Sequence, residues 1–406
     1  MGTPLEGIRV IDLTVWLQGP YSTAMLADMG AEVIKVEDFP QGDPARGVQL
    51  SSATGIFPPS PINYLIELQS RGKKSVAVNL RQEGASEIIH KLAATSDVFV
   101  SNLRKGALDK FGLDYGALSA INPQIIYATA SGYGQKGPDA ALPAMDFAVQ
   151  ARGGMLSIIG EPDSPPPPVG VAGYADTIGA MQLAFAVTMA LLARERTGIG
   201  QEVHTSLLGG QLAVGALELH GYLFSGQNPS RVSRRNASNP LRISYEAGDG
   251  RWLCFNLTQS DRYWGGFCRV LGLDEIIDDP RFNSASSRQE NCTELVSLLD
   301  QVFATRPADE WQGRFNEAQI ICGVVQTFGE VVADPQVVEN DYIVTVDHPQ
   351  HGPLREIGIP MQFSKTPGRV SSVAPEFGQH TEEVLLEVAG YTWEDIARLK
   401  EQGTIV

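Results

Sequence analysis

The chain has only four cysteines in 406 residues, Cys254, Cys268, Cys292 and Cys322, and no Cys-x-x-Cys pair among them. That spacing offers neither a zinc site nor a disulfide framework, so the thiols are read as reduced and buried in a cytoplasmic protein. The six histidines, His90, His204, His220, His348, His351 and His380, show no metal-ligand spacing, and no metal is expected. Positive charge is scarce. Thirty-one Lys and Arg face 47 Asp and Glu, for a formal net charge of −16. Such a balance argues against non-specific binding of nucleic acid or an anionic membrane. Met1 to Gly7 has no charged stretch leading into an apolar one, so no signal peptide is expected. The one long apolar segment, Ile178 to Ala193, is broken by Gly179, Gln182 and Thr188. It falls short of about 18 unbroken apolar residues and reads as a buried core helix. No Gly-x-Ser-x-Gly elbow is present, which leaves serine hydrolase chemistry without support.

What is present is an ordinary soluble composition, 43% hydrophobic and 19% charged, in a chain longer than one core usually serves. Ile8–Leu13 reads as a strand, Tyr21–Met29 as a helix ended by Gly30, and Ala31–Glu37 as the next strand. That is a βαβ unit and hence a parallel sheet, without the Gly-x-Gly-x-x-Gly fingerprint in its first turn. Ser75–Leu80, Asp97–Val100, Ile125–Thr129 and Gln201–Ser206 continue the strands, with helical segments between them. The pattern predicts a doubly wound α/β domain. A helix is expected over about Leu207–Phe224, and a hairpin with Ile243–Ala247 and Trp252–Asn256 flanking Gly248-Asp249-Gly250. The polar loop Ser225–Arg242 marks a domain boundary. The expected division is a large α/β domain over 1–225, a smaller α+β domain over 226–340, and a segment over 341–406 that returns to the large domain.

The chain is organised around Gly173-Tyr174-Ala175-Asp176-Thr177-Ile178-Gly179, which opens the long apolar segment. Asp is a favoured N-cap because its carboxylate accepts from a helix's unpaired N–H groups. From these residues alone Asp176 is either a plain cap or a cap that also does chemistry. A helix start would keep its carboxylate ionised. The stretch 71–110 carries Arg71, Lys73, Lys74, Arg81, Lys91, Arg104, Lys105 and Lys110. In so acidic a chain this cluster is either a solvated charged face or the seat of a phosphate-bearing ligand.

Ordered motifs run nearly end to end. They include Pro4–Leu13, Leu26–Glu37, Gly42-Asp43-Pro44-Ala45-Arg46-Gly47, Arg71-Gly72-Lys73-Lys74-Ser75 and Asn102-Leu103-Arg104-Lys105-Gly106. Gly132–Pro138, Thr197–Val203, Asp279-Pro280-Arg281-Phe282, Asp334-Pro335-Gln336-Val337 and His380–Leu385 follow. On these residues the chain resembles the class III CoA transferases, the formyl-CoA and carnitine-CoA transferase family, whose superfamily includes α-methylacyl-CoA racemase. The resemblance implies a Rossmann-like large domain, a smaller domain, and two chains interlocked as a dimer. It places the catalytic aspartate at Asp176 and a second acidic active-site residue at Asp146. It puts CoA-binding positions at or beside Gln18, Arg46, Arg71, Lys73, Lys74, Asn102, Leu103, Arg104 and Lys110. Where some members have a Gln-Ala pair before Gly-Pro, this chain has Leu17-Gln18, and it has no glycine run like the mobile loop of the formyl-CoA enzyme.

The implied reaction moves CoA from an acyl-CoA donor to a free carboxylic acid through an aspartyl anhydride and an aspartyl-CoA thioester, with no metal or tightly bound cofactor. The expected partners are those small molecules and a second copy of the chain, or a related chain in its place. Two alternatives stand beside this reading. One is an acyl-CoA racemase, whose relatives carry a His before the acidic residue where this chain has Met145. The other is a non-catalytic acyl-CoA-binding subunit of a heteromer. Val48 to Leu68, with Leu50, Ile56, Phe57, Tyr64 and Leu65, is either an ordinary covered loop or the wall of a pocket for a bulky apolar or aromatic acid such as an arylsuccinate, with succinyl-CoA as donor.

Overall fold

A computed structural model of the chain describes residues 2–47, 60–167 and 172–406. It divides into two units. The first comprises 1–157, 167–228 and 338–406, and the second 158–166 and 229–337.

The first unit is built on six parallel strands, β1 (Arg9–Leu13), β2 (Glu32–Asp38), β3 (Lys73–Val78), β4 (Val98–Ser101), β5 (Ile126–Ser131) and β6 (Gln201–Ser206). Their order is β3-β2-β1-β4-β5-β6, with every neighbouring pair parallel. The order reverses between β1 and β4, and a doubly wound sheet opens a crevice at that point, outside the carboxyl ends of its strands. The helices are α1 (Gln18–Asp28), α2 (Tyr64–Ser70), α3 (Ala85–Ala94), α4 (Tyr115–Ile121), α5 (Asp146–Arg152), α6 (Tyr174–Thr197), α7 (Leu207–Val214) and α8 (Ala216–Ser225).

Successive strand residues point to opposite faces, and both faces are apolar because both are covered. Ile11, Ile34, Val76 and Phe99 pack against Ile88, Ile89 and Leu92 of α3 and against Val384, Leu385, Ile396 and Leu399 near the C-terminus. Val10, Val33, Val98 and Ile126 pack on the other face with Leu26 of α1 and Leu183, Val187 and Leu191 of α6. Each such side chain, once fully buried, contributes roughly 1.5–3 kcal/mol. Among the described residues α6 is the one helix long and apolar enough to cross a membrane. Its position as the crossover between β5 and β6, with one face on the sheet, makes it a core helix. The expected single helix over 207–224 is two, Leu207–Val214 and Ala216–Ser225, with Gly215 at the break; a side chain there would come within 3.1 Å of the Met155 sulfur. A hairpin of Ile343–His348 and Gly352–Ile357 also belongs to this unit.

The second unit pairs a three-stranded antiparallel sheet, Ser244–Glu246, Trp252–Phe255 and Cys322–Val324, with helices that include Ser260–Leu271, Cys292–Phe303 and Ala308–Glu317. Its core is aromatic, with Tyr245 stacked on Phe303 at 4.8 Å and Phe255 edge-on to Phe315 at 4.9 Å. The expectation of four buried thiols needs correction. Cys268 and Cys292 are buried, but Cys254 is exposed, since positions in its strand alternate between core and solvent, and Cys322 is half-buried.

Candidate active site

The direction of α6 places the site. Helix and sheet run antiparallel in a parallel crossover, so α6 should begin at the carboxyl edge of the strands and end at the other. Arg194, near its end, donates to the Asp97 carboxylate at 2.9 Å, just ahead of β4. The first turn of α6 therefore lies at the carboxyl edge, where α1 also begins. Two glycines let the loop after β1 approach it. A side chain on Gly173 would meet Leu17 Cδ2 at 2.8 Å, and one on Gly179 would meet Gln18 Nε2 at 2.7 Å. Leu17 and Gln18 thus approach the chain three residues before and three residues after Asp176. Gln18 is buried, and its Nε2 has no hydrogen-bond partner among the described residues.

Asp176 is not the cap that its sequence context suggests. The helix starts at Tyr174, after Gly173 with φ +72°, and Asp176 sits within the first turn. The capping carboxylate comes from another helix. Asp146, the first residue of α5, accepts from the backbone N–H of Ala175 at 2.6 Å, Gly173 at 3.2 Å and Asp176 at 3.2 Å. Gln150, one turn on, donates to Asp146 at 2.8 Å. The amides that would have held Asp176 ionised are thus occupied. The Asp176 carboxylate is half-buried and has no hydrogen-bond partner among the described residues. Burial first, and the Asp146 charge second, push its carboxyl up to about 7. The expectation that the helix start keeps Asp176 ionised is overturned, because Asp146 takes the helix's donors and adds a like charge.

A cavity of about 360 Å³ opens at the switch point, lined by Leu13, Thr14 and Val15 after β1, by Glu37 and Asp38 of β2, and by Leu103, Lys110 and Phe111 after β4. The basic candidates divide around it. Lys110 lies at its rim with the ammonium 4.7 Å from the Phe111 ring centre, and Arg104 is exposed in the same loop. Asn102 braces the loop opposite, accepting from Val15 N–H at 2.8 Å and donating to Val15 O at 2.7 Å. Leu103 is a wall of the cavity.

Arg46, Arg71, Lys73 and Lys74 are instead matched internally. Arg46 forks onto Glu37 at 2.7 and 2.8 Å, and Arg71 pairs with Asp28 at 2.8 Å and donates to Ile357 O at 2.9 Å. Lys73, wholly buried at its ammonium, bonds Asp12, Pro20 O and Thr23 at 2.7, 2.7 and 2.8 Å. Lys74 bridges Glu32 and Glu383. Such neutralised charges contribute less to attracting an anion than Arg104 and Lys110. Of the bulky-acid wall expected over 48–68, residues 48–59 lie outside the described residues, while Tyr64 and Leu65 open α2.

Two features escaped the sequence reading. Asp43 ties the loop after β2 to the loop after β1 by accepting from Trp16 N–H at 3.1 Å and Ala45 N–H at 2.9 Å, with Lys35 at 2.9 Å. Gly132-Tyr133-Gly134-Gln135-Lys136-Gly137 has dinucleotide-loop spacing, but α5 begins nine residues after it, at Asp146, so no helix start faces it. Gly134 and Gly137 do take left-handed φ of +103° and +92° with open space at their missing side chains.

A crevice at the switch point of a doubly wound sheet, joined through the β1–α1 loop to a half-buried carboxylate with no partner and a raised pKa, is the constellation of an α/β enzyme. The whole chain narrows that class. Residues 5–381 match the CoA-transferase family III model. An (R)-2-hydroxy-4-methylpentanoate CoA-transferase of Clostridioides difficile is 32% identical over 405 residues, 99% of each chain. A mouse succinyl-CoA:glutarate CoA-transferase is 33% identical, over 99% of this chain and 90% of its own. A CaiB/BaiF family protein from Brucella suis superposes with a TM-score of 0.82 at 31% identity, over 96% of this chain and 100% of its own. The chain belongs to CoA-transferase family III, and it is a transferase that acts on CoA thioesters.

Proposed function

We propose that the protein moves CoA from an acyl-CoA donor to a carboxylic acid with Asp176 as the nucleophile. The observation that carries this reading is the unpartnered Asp176 carboxylate at the start of α6, a helix turn approached by the loop whose Thr14 and Val15 line the crevice. The Asp176 oxygen attacks the donor thioester carbonyl, the C–S bond breaks, and CoA thiolate leaves a mixed anhydride. The thiolate then attacks the Asp176 carbonyl carbon and releases the donor acid, leaving an aspartyl-CoA thioester. The acceptor carboxylate attacks that thioester, releases thiolate and forms the second anhydride. The thiolate attacks the acceptor's acyl carbon and frees Asp176. Carboxylates are weak nucleophiles, so alignment supplies much of the rate, through effective molarities of roughly 10⁵ M or more. One thioester replaces another, and the energy balance needs no ATP.

The nucleotide end of CoA belongs in the switch-point cavity, where Lys110 offers charge to its phosphates and Leu103 and Phe111 offer apolar walls, with Arg104 exposed on the adjoining loop as a second source of charge. A bulky acceptor with succinyl-CoA as donor remains our reading of the substrates. The racemase alternative needs a base on each face of an α-carbon. Met145, 62% exposed, supplies none beside Asp146. Incubation with acyl-CoA and hydroxylamine tests the nucleophile, since only a reacting Asp176 gains a hydroxamate detectable by mass spectrometry. Labelling at another residue, or transfer with no label, would refute the assignment.

We also infer that the chain works as a homodimer. Met181, Phe185, Met189 and Leu192 stand exposed at intervals of three and four along α6, and Leu217, Leu223 and Phe224 are exposed on α8. A contiguous apolar stripe of that kind is unusual on a monomer, and the family resemblance supplies the occupant, a second copy. Sedimentation that finds an active monomer at micromolar concentration would overturn this.

A further inference from the structure

Trp16 is one of three described non-glycine residues with positive φ, at +66°. Left-handed backbone is unfavourable for L-residues, most of all for a bulky one that lacks the local side-chain bonding of Asn or Asp. The loop holds it there. Its N–H donates to Asp43, and Val15 beside it is clamped at both N–H and C=O by the Asn102 amide. Asp43 is itself buried and paired with Lys35. The fold therefore fixes this conformation from two neighbouring strand ends. The side chain gives little back. The ring is 40% exposed, stacks on no described aromatic or cation, and its indole N–H has no described acceptor. Strain that is held in place without a packing return is a mark of function.

Position says which function. Thr14 and Val15 line the switch-point cavity. Leu17 and Gln18 reach Gly173 and Gly179, on either side of Asp176. Trp16 lies between the two pairs, and neighbouring Cα atoms are about 3.8 Å apart. A thioester with its nucleotide in the cavity and its carbonyl at Asp176 must pass along this loop. Taking the aspartyl-transfer reading as given, we propose that Trp16 is a specificity-determining residue whose indole forms one wall for the acyl group and selects flat or bulky apolar acids over small ones. An open aromatic face offers a large apolar area at a low cost in side-chain freedom, and favours ring-bearing ligands by offset or edge-on contact. The wall is part of the described structure and is independent of the segment 48–59.

The test is competition between 3-phenylpropionate and propionate for CoA from one donor thioester, with wild type, Trp16→Phe and Trp16→Gly. Glycine takes φ +66° without steric cost, so Trp16→Gly keeps the loop and removes only the ring. Wild type should prefer phenylpropionate. Trp16→Gly should lose that preference by about tenfold or more, with kcat/KM falling further for phenylpropionate than for propionate, and Trp16→Phe should keep it within about threefold. An unchanged preference in Trp16→Gly would overturn the proposal. So would an equal loss for both acids with a raised KM for every thioester, which would set the ring against the CoA arm. Hydroxylamine labelling of Asp176 is run on the same samples. A persisting label with unchanged preference sinks the Trp16 assignment alone, whereas an unlabelled, inactive wild type sinks the transfer reading and this proposal with it.

Discussion

Replacing Asp176 by Asn should abolish transfer and at the same time make the protein more stable, by an amount that depends on pH. In the folded chain the Asp176 carboxyl is raised from 3.8 to about 7. Below about pH 4 folded and unfolded chains both keep the proton, and the group has no effect on stability. Between about pH 4 and pH 7 the unfolded chain releases the proton while the folded chain retains it, so stability falls as pH rises. Above about pH 7 the full penalty applies. At about 1.4 kcal/mol per pKa unit this amounts to roughly 4 kcal/mol, an upper bound because water enters a half-buried site. Asn cannot ionise and carries no such penalty. The gap between variant and wild type should therefore widen by roughly 2 kcal/mol from about pH 5.5 to about pH 8. Both pH values stay above the isoelectric point near 4.8. Calorimetry at the two pH values reads it as a melting-temperature difference that is present at both and larger by a few degrees at the higher pH. A difference that is the same at both, or a destabilised variant at about pH 8, would refute the account of a carboxylate strained by burial and by Asp146. Near wild-type transfer in Asp176→Asn would refute the nucleophile.

Because Asp176 must be ionised to attack, kcat/KM should rise with pH through about 7. Asp146→Asn keeps an oxygen for the helix amides but removes the like charge, so its acid limb should move to lower pH; an unmoved limb would show that Asp146 does not set it. Lys110→Ala should raise KM for donor and acceptor thioesters together, and a fall in kcat alone would show that the residue does not bind CoA uniformly. Arg71→Ala should cost about 3–5 kcal/mol of stability in denaturant unfolding by leaving Asp28 buried and unpaired; a stable variant with weakened CoA binding would return Arg71 to the ligand site.

The sequence carried the sheet well because the inner strands are apolar over most of both faces and the turns are marked by glycine. Gln201–Ser206 was legible to the residue. β3 was not. It starts at Lys73, two residues earlier than the apolar pattern allows, because its first residues are charged side chains, Lys73 paired with the buried Asp12 and Lys74 with the part-exposed Glu32 and Glu383. The same mismatch explains the basic cluster. Charge density along 71–110 is a local count, but whether a cation is free depends on acidic residues far away in sequence, such as Asp12, Asp28 and Glu383. Asp176 was visible as a helix-start residue. That the cap would come from Asp146, thirty positions earlier, was not, since nothing in a five-residue window records which of two carboxylates reaches the amides first. Trp16 gave no signal, because positive φ at a tryptophan has no compositional mark.

On the proposed mechanism, the exchange of roles between the two aspartates has a chemical rationale. A carboxylate at its ordinary pKa is fully ionised at neutral pH but weakly basic, and therefore a poor nucleophile. Had Asp176 received the helix amides itself, its pKa would have fallen and its attacking power with it. Asp146 accepts those hydrogen bonds instead, which fixes the first turn of α6 and leaves the Asp176 oxygens free. With its carboxyl near 7, Asp176 is about half ionised at neutral pH, and the ionised fraction is more basic than a solvated carboxylate. A group whose pKa lies near the working pH balances population against reactivity. Positive charge brought by neither aspartate must then come from the other side of the reaction. The β1–α1 loop presents only the Gln18 amide among polar side chains beside this turn, and its Nε2 has no described partner. An amide donor can stabilise a developing oxyanion without lowering the Asp176 pKa as a cation would. That is a physical reason for a neutral residue at position 18, and it places the basic residues where the structure leaves them free, at Lys110 on the rim of the crevice and Arg104 on the loop after β4 that leads to it.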